Sequence, residues 1–281
     1  MKIKIVHTLS DLRSELAKVR KAGKSIGCVP TMGALHAGHM SLVKKSASQC
    51  AYTVVSIFVN PIQFGKNEDL DKYPRRLEAD AALCAQHGAR LIFAPAAKDM
   101  YDPNHQTYIY NGALENLYCG KYRPGHFRGV LTVVAKLFLA VQPDKAYFGR
   151  KDYQQAFLIR KMVSDLNFPV EVCTVPISRD KTGLARSSRN DYMTAPQRAS
   201  AAAIHRGLVD ARKAFLQGKR DSIALCAKVS TSIEAAGGKV QYIELVSRKT
   251  LQPLHGKIQE KVVILVAAFF GETRLIDNQE L

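Results

Sequence analysis

The sequence predicts a doubly wound α/β fold, a parallel sheet covered by helices on both faces, followed by a smaller α+β domain. Two observations carry this. Short runs rich in β-branched and aromatic residues alternate with stretches of helical apolar spacing through the first part of the chain. From about Ser178 the alternation stops, and two long helical segments precede two strand-like runs. Strand and helix in alternation call for a parallel sheet, and 281 residues leave room for a second domain. The expected division is 1–177 and 178–281.

In chain order, the expected strands are Lys2–His7, Ser25–Val29, Tyr52–Val59, Arg90–Ala94, Lys145–Phe148 and Val170–Val175. The expected helices between them are Asp11–Lys21, His39–Gln49, Arg75–Gln86, Gly129–Val141 and Tyr153–Leu166, with Ser10 as N-cap of the first. Beyond the loop SRDKTGLARSSRND, helices are expected over Pro196–Leu216 and Asp221–Ala236, then strands over Gln241–Val246 and Val262–Phe270. A doubly wound sheet binds its ligand at the carboxyl ends of its strands, which directs attention to the residues just after Val29, Val59 and Phe148.

Composition narrows the function classes. The apolar fraction of 47% and the 18 Gly and 11 Pro belong to an ordinary globular chain. Val130–Val141 and Val262–Phe270 are too short to span a bilayer, and the amino-terminal stretch has acidic residues and a helical pattern in place of an apolar leader. The expectation is a cytoplasmic protein with no membrane partner. Six scattered cysteines without a CxxC pair read as reduced core thiols. A net charge of +17 favours anionic partners, but no run of five basic residues concentrates it, which argues against nucleic acid.

Five stretches carry candidate chemistry. PTMGALHAGHM, Pro30–Met40, joins an expected strand to an expected helix; Gly33 lets the backbone turn, and N–H groups at the helix start are expected to face phosphates. His36 and His39 lie three apart and can point the same way, as donors to charge growing on an α-phosphate. A metal pair is the alternative, with His126 and Cys119 the nearest further ligands in composition. In SIFVNPIQF, Asn60 and Gln63 offer amides for a small hydroxylated or carboxylated substrate, against a plain Asn-Pro turn. FGRKDYQQ offers Lys151 to ATP phosphates, Asp152 to Mg2+ or a ribose hydroxyl, and Gln155 to the same cleft, against a solvated helix start. GLARSSRN places hydroxyls between Arg186 and Arg189, either a loop that closes on a triphosphate or an interdomain linker. RPGHFRGV sets Arg123 and Arg128 around a Pro-Gly turn, for a carboxylate or phosphate or for no partner at all.

Taken in this order, PTMGALHAGH, FVNPIQF, RPGHFRGV, KDYQQ and SSRN resemble the motif set of the pantothenate synthetases, and ILVAAFFGETRLIDN resembles that family's carboxyl terminus. HxGH alone is shared with a wider nucleotidyltransferase superfamily that includes class I aminoacyl-tRNA synthetases. The resemblance implies a Rossmann-like first domain and a smaller lid domain. It also implies an ATP-dependent ligase that joins pantoate to β-alanine through a pantoyl-adenylate, releasing pyrophosphate and then AMP. By motif, His36, His39, Lys151 and Arg189 would be catalytic. Met32, Gly33, Ala34, Leu35, Ala37, Gly38, Gly149, Arg150, Asp152, Ser178, Arg186, Ser187 and Ser188 would join those four in binding ATP. Met32, Gln63 and Gln155 would hold pantoate, Gln63 would also serve β-alanine, and Asn60 would line the phosphate side. Mg2+ and a homodimer are implied as well. Ala37, Cys119, Arg150 and Arg186 depart from the family pattern, and the two arginines add positive charge to the motifs expected to bind ATP. Two competing readings are a related nucleotidyltransferase with another acid substrate and an RNA-binding accessory protein that uses the net charge.

Overall fold

The structure, a computed structural model, describes residues 3–65, 68 and 70–281. The chain divides into two compact units: one of Met1–Arg150 with Gln155–Pro176, the other of Lys151–Gln154 with Ile177–Leu281.

The first unit is built on a six-stranded parallel sheet. In chain order its elements are β1 (Lys4–Val6), α1 (Leu9–Lys21), β2 (Ile26–Thr31), α2 (Ala37–Gln49), β3 (Tyr52–Ile57), α3 (Leu77–Gln86) and β4 (Leu91–Phe93). They continue with α4 (Ala97–Met100), α5 (Cys119–Tyr122), α6 (His126–Val141), β5 (Lys145–Gly149), α7 (Tyr153–Asp165) and β6 (Glu171–Val175). The expected first strand began at Lys2, which lies outside the described residues; the observed one runs from Lys4. The strand order β1-β4-β3-β2-β5-β6 reverses direction between β2 and β5. That reversal is where a doubly wound sheet opens a crevice at its carboxyl edge.

Local chemistry sets the ends of these elements. The N-cap of α1 is Thr8, two residues before the expected Ser10, and its hydroxyl accepts from the Asp11 N–H at 3.1 Å. Such a cap stabilises a helix by about 1 kcal/mol. Helix α6 is buried on nearly every side, as its run of Val, Leu and Phe requires, and it starts three residues before the expected Gly129. Gly129 permits a close approach: a Cβ there would meet the Ile62 carbonyl and the Gln63 backbone. One apolar core gathers Val29, Val43, Val55, Cys84, Ile92 and Tyr147.

The second unit comprises α8 (Ala195–Ala201), α9 (Ala203–Leu216), α10 (Ser222–Ala235) and an antiparallel sheet of β7 (Lys239–Ser247), β8 (Val262–Phe270) and β9 (Thr273–Glu280). The single helix expected over Pro196–Leu216 is interrupted at Ala202, and nothing in the composition of this alanine-rich stretch explains the break. β9 is a strand the sequence reading did not contain. It pairs with β8 along its whole length, from Val263 opposite Glu280 to Phe270 opposite Thr273. A second core joins Ile204, Leu208, Leu225, Val229, Ile264 and Val266.

Candidate active site

A set of internal hydrogen bonds holds the loop between β2 and α2. Gly33 has φ +86°, which glycine accepts readily, and Ala34 follows at φ +51°, a conformation that an L-residue adopts only when its surroundings insist. The Gly33 N–H donates to Thr31 Oγ1 at 3.3 Å, and Thr31 Oγ1 donates to the Ser56 carbonyl on the neighbouring strand. The Ala34 and Leu35 N–H groups donate to the two carboxylate oxygens of Asp80, at 2.9 and 2.8 Å. Asp80 sits on α3 with only 3% of its surface exposed. Burial pushes its carboxyl above the usual carboxylate range, although the two backbone bonds and the Arg76 charge pull the other way.

The helix start continues the pattern with two imidazoles. His36 is the N-cap of α2, and its Nδ1 accepts from the Gly38 N–H at 3.1 Å. His39, one turn on, returns the favour: its Nδ1 accepts from the His36 N–H at 3.3 Å, completing a reciprocal capping box. The rings lie 4.1 Å apart, centroid to centroid, tilted by 43°. A ring nitrogen that accepts carries no proton, so each neutral ring keeps its proton on Nε2. The expected anion site is therefore altered in kind. The N–H groups of Gly33, Ala34, Leu35, His36 and Gly38 donate to the protein itself, and the two capping imidazoles carry Nε2–H groups at the same helix start.

Gln63 stands in the turn after β3. Its Nε2 donates to Met32 Sδ at 2.8 Å, so the structure brings together two residues that the motifs assign to pantoate. Its Oε1 accepts from Asn60 Nδ2 at 3.0 Å. Asn60 is 1% exposed; its Nδ2 also donates to the Gly129 carbonyl, and its Oδ1 accepts from the Tyr101 hydroxyl at 2.8 Å. Asn60 thus orients Gln63 from inside the protein. The Gln63 carbonyl accepts from His126 Nδ1 at 2.9 Å, and Arg123 donates to His126 Nε2 at 2.9 Å. Arg123 also grips both carboxylate oxygens of Glu68. The RPGHFRGV stretch therefore braces the Gln63 turn, a role that its basic composition does not announce.

At the end of β5, Gly149 and Arg150 are half-buried, and the Arg150 N–H donates to the Val175 carbonyl on β6. Gln155 is half-buried in the first turn of α7. In the second unit, Lys151 and Asp152 are half-buried, and the Lys151 carbonyl accepts from Asn278 Nδ2 at 2.9 Å. Among the described residues no three His, Cys, Asp or Glu side chains cluster as metal ligands, so the notion of a metal centre around His36, His39, His126 and Cys119 has no support. No disulfide joins the described cysteines.

Also in the second unit, residues 178–186 form a short hairpin: the Arg186 N–H donates to the Ser178 carbonyl, and Arg179 bridges to Ala185. Asp180 Oδ1 closes the turn by accepting from Thr182 N, Thr182 Oγ1 and Leu184 N. Arg179 reaches both oxygens of the buried Asp277, at 2.6 and 3.0 Å, and donates to the Gly183 carbonyl. The hairpin delivers Ser187, whose hydroxyl caps a 3-10 turn over Ser188–Tyr192 by accepting from the Arg189 N–H at 3.3 Å. Asn190 Nδ2 ties that turn back to the Ala185 carbonyl.

Asp80, Tyr101, His126 and the Arg179–Asp277 pair escaped the sequence reading as functional supports. Asp80 alone left a signal: it interrupts the buried stripe of α3, between Leu77 and Cys84, where an acid needs a partner.

Comparison with known proteins adds an independent line. The model of the pantoate–β-alanine ligase family matches residues 4–280. Pantothenate synthetase 1 of Bradyrhizobium diazoefficiens is 49% identical over 276 residues, covering 98% of this chain and 97% of that protein. A crystal structure of pantothenate synthetase from Thermus thermophilus superposes with a TM-score of 0.93 at 42% identity, covering 99% of each chain. The pantoate-beta-alanine ligase of Francisella tularensis, solved with a β,γ-ATP compound and β-alanine, gives 0.82 at 35% identity, covering 99% of this chain and 97% of that one.

Proposed function

The chain belongs to the pantoate–β-alanine ligase family, and from that premise we propose how its residues divide the work of condensing pantoate with β-alanine at the expense of ATP. A pantoate carboxylate oxygen attacks the α-phosphorus, and the bond to the β-phosphate oxygen breaks, releasing pyrophosphate. The β-alanine amine then attacks the pantoyl carbonyl carbon; the carbon–oxygen bond to the phosphate breaks, AMP leaves, and the amine loses its proton.

His36 and His39 donate from Nε2 to phosphate oxygens that gain charge in both steps. The observation that carries this reading is their shared capping box, which makes both Nδ1 atoms acceptors. Met32 and Gln63, in mutual contact, bind pantoate together with Gln155, and Gln63 also meets β-alanine. The remaining ATP contacts follow the motifs: the Gly33–Gly38 stretch, Gly149, Arg150, Lys151, Asp152, Ser178 and Arg186–Arg189. Lys151 and Arg189 supply charge to the triphosphate. Mg2+ fits a lone half-buried carboxylate, because this ion keeps most of its shell as water and phosphate oxygen; Asp152 would hold it, and it would neutralise triphosphate charge. A homodimer follows from the family resemblance, and thiols not joined in disulfides suit a cytoplasmic setting.

Exchange of labelled pyrophosphate into ATP, measured with pantoate and without β-alanine, tests the first step. Exchange that requires pantoate and disappears on chelation of Mg2+ is expected; folded protein that shows none removes the adenylate. In His36→Ala the exchange rate should fall by about 10²–10⁴.

A further inference from the structure

The buried carboxylate beneath the β2–α2 loop has no place among the substrate contacts, yet it accounts for the shape of that loop. Asp80 accepts from two successive backbone N–H groups, one on each oxygen, at 2.9 and 2.8 Å. Those N–H groups belong to Ala34, which carries φ +51°, and to Leu35, the residue before the capping histidine. A Cβ on Gly33 would lie 3.2 Å from Asp80 Oδ2, so the chain is drawn close over the carboxylate. An anion that is 3% exposed and held by neutral donors destabilises the fold relative to an apolar side chain in that stripe. Such an arrangement is expected where geometry matters more than stability.

We propose that Asp80 is a positioning residue for the adenylation step: it clamps the Ala34–Leu35 backbone so that His36 enters α2 as its N-cap with Nε2 turned to the phosphates. The clamp also occupies two N–H groups that would otherwise attract phosphate to the loop. This rests on the role given to His36 above. Asp80 touches no reacting atom; its effect passes through the loop.

Asp80→Asn tests the clamp, because an amide offers one acceptor where the loop presents two donors. The expected result is a melting temperature close to that of the wild type and a kcat for pantoate-dependent pyrophosphate exchange lowered about 10²-fold, with KM for pantoate changed little. Nitrogen-15 spectra of the variant should show that His36 has lost its single Nε2–H tautomer. Wild-type kcat in a folded D80N protein overturns the proposal. So does a loss of activity that only tracks the folded fraction. If the amide variant does not fold, D80E and D80A decide: a D80E protein that recovers activity at matched stability supports the clamp, and equal kcat values in the two contradict it. His36→Ala is measured alongside. An active H36A enzyme brings down the reading of the histidine, whereas an inactive H36A beside a fully active D80N brings down the clamp alone.

Discussion

Two loops carry the residues assigned to phosphate, and they are built on opposite electrostatic terms. In the first unit, Asp80 lies under residues 33–36 with backbone N–H groups as its partners, and burial raises its pKa. In the second, burial also acts on Asp180, but the Thr182 and Leu184 bonds and the Arg186 charge outweigh it and lower the pKa, while Asp277 is paired with Arg179. By linkage, a carboxylate raised on folding stabilises the protein only below the ordinary range near pH ~4, and that contribution is lost as pH rises through the folded value. Above that raised value the ionised Asp80 adds no stability and is tolerated for what it shapes. A lowered carboxylate does the reverse: Asp180 stabilises the fold above the ordinary range, and that contribution disappears as pH falls through its folded value. The difference teaches that injury to the first loop should appear in catalysis, and injury to the second in stability.

The largest expected stability effect is in the second unit. Asp277→Ala leaves Arg179 facing an empty, largely buried position and should lower stability by about 3 kcal/mol, read by chemical denaturation. A variant as stable as the wild type would erase the contrast with D80N. Next comes the Gln63 turn. A Gly129→Ala methyl must displace the Ile62–Gln63 backbone, with a stability loss of about 1–3 kcal/mol. Because Gln63 moves with that backbone, KM for pantoate should rise while the exchange rate at saturation is largely kept. An unchanged KM would mean that Gln63 does not hold pantoate.

The smallest effect concerns Arg150 and Arg186, the added charges of this chain. If they attract ATP and pantoate over distance, the dependence of kcat/KM for ATP on ionic strength should be shallower in R150E and R186L than in the wild type. Matching slopes would leave these departures without a role.

Much of this is legible in the sequence. The β-branched runs around Cys28 and Val55 and the aromatic run after Ala146 read as strands, and the Gly33–His39 stretch announces itself by following one of them. What stayed hidden depends on partners far away in sequence. Nothing local says that Asp80 closes on Ala34 from 46 residues downstream, or that His126 braces the Gln63 carbonyl. Residues 273–280 alternate too loosely to declare a strand until β8 is beside them. The histidine pair shows both sides: its spacing was plain, but which nitrogen carries the proton depends on a capping box that only the backbone reveals.

That tautomer is also the most direct test. Long-range nitrogen-15 correlation spectra of the ligand-free protein, recorded at a pH where both rings are neutral, should place the proton of His36 and of His39 on Nε2. A proton on Nδ1 of either ring would contradict the capping box, and with it the account of how the imidazoles come to face the phosphates.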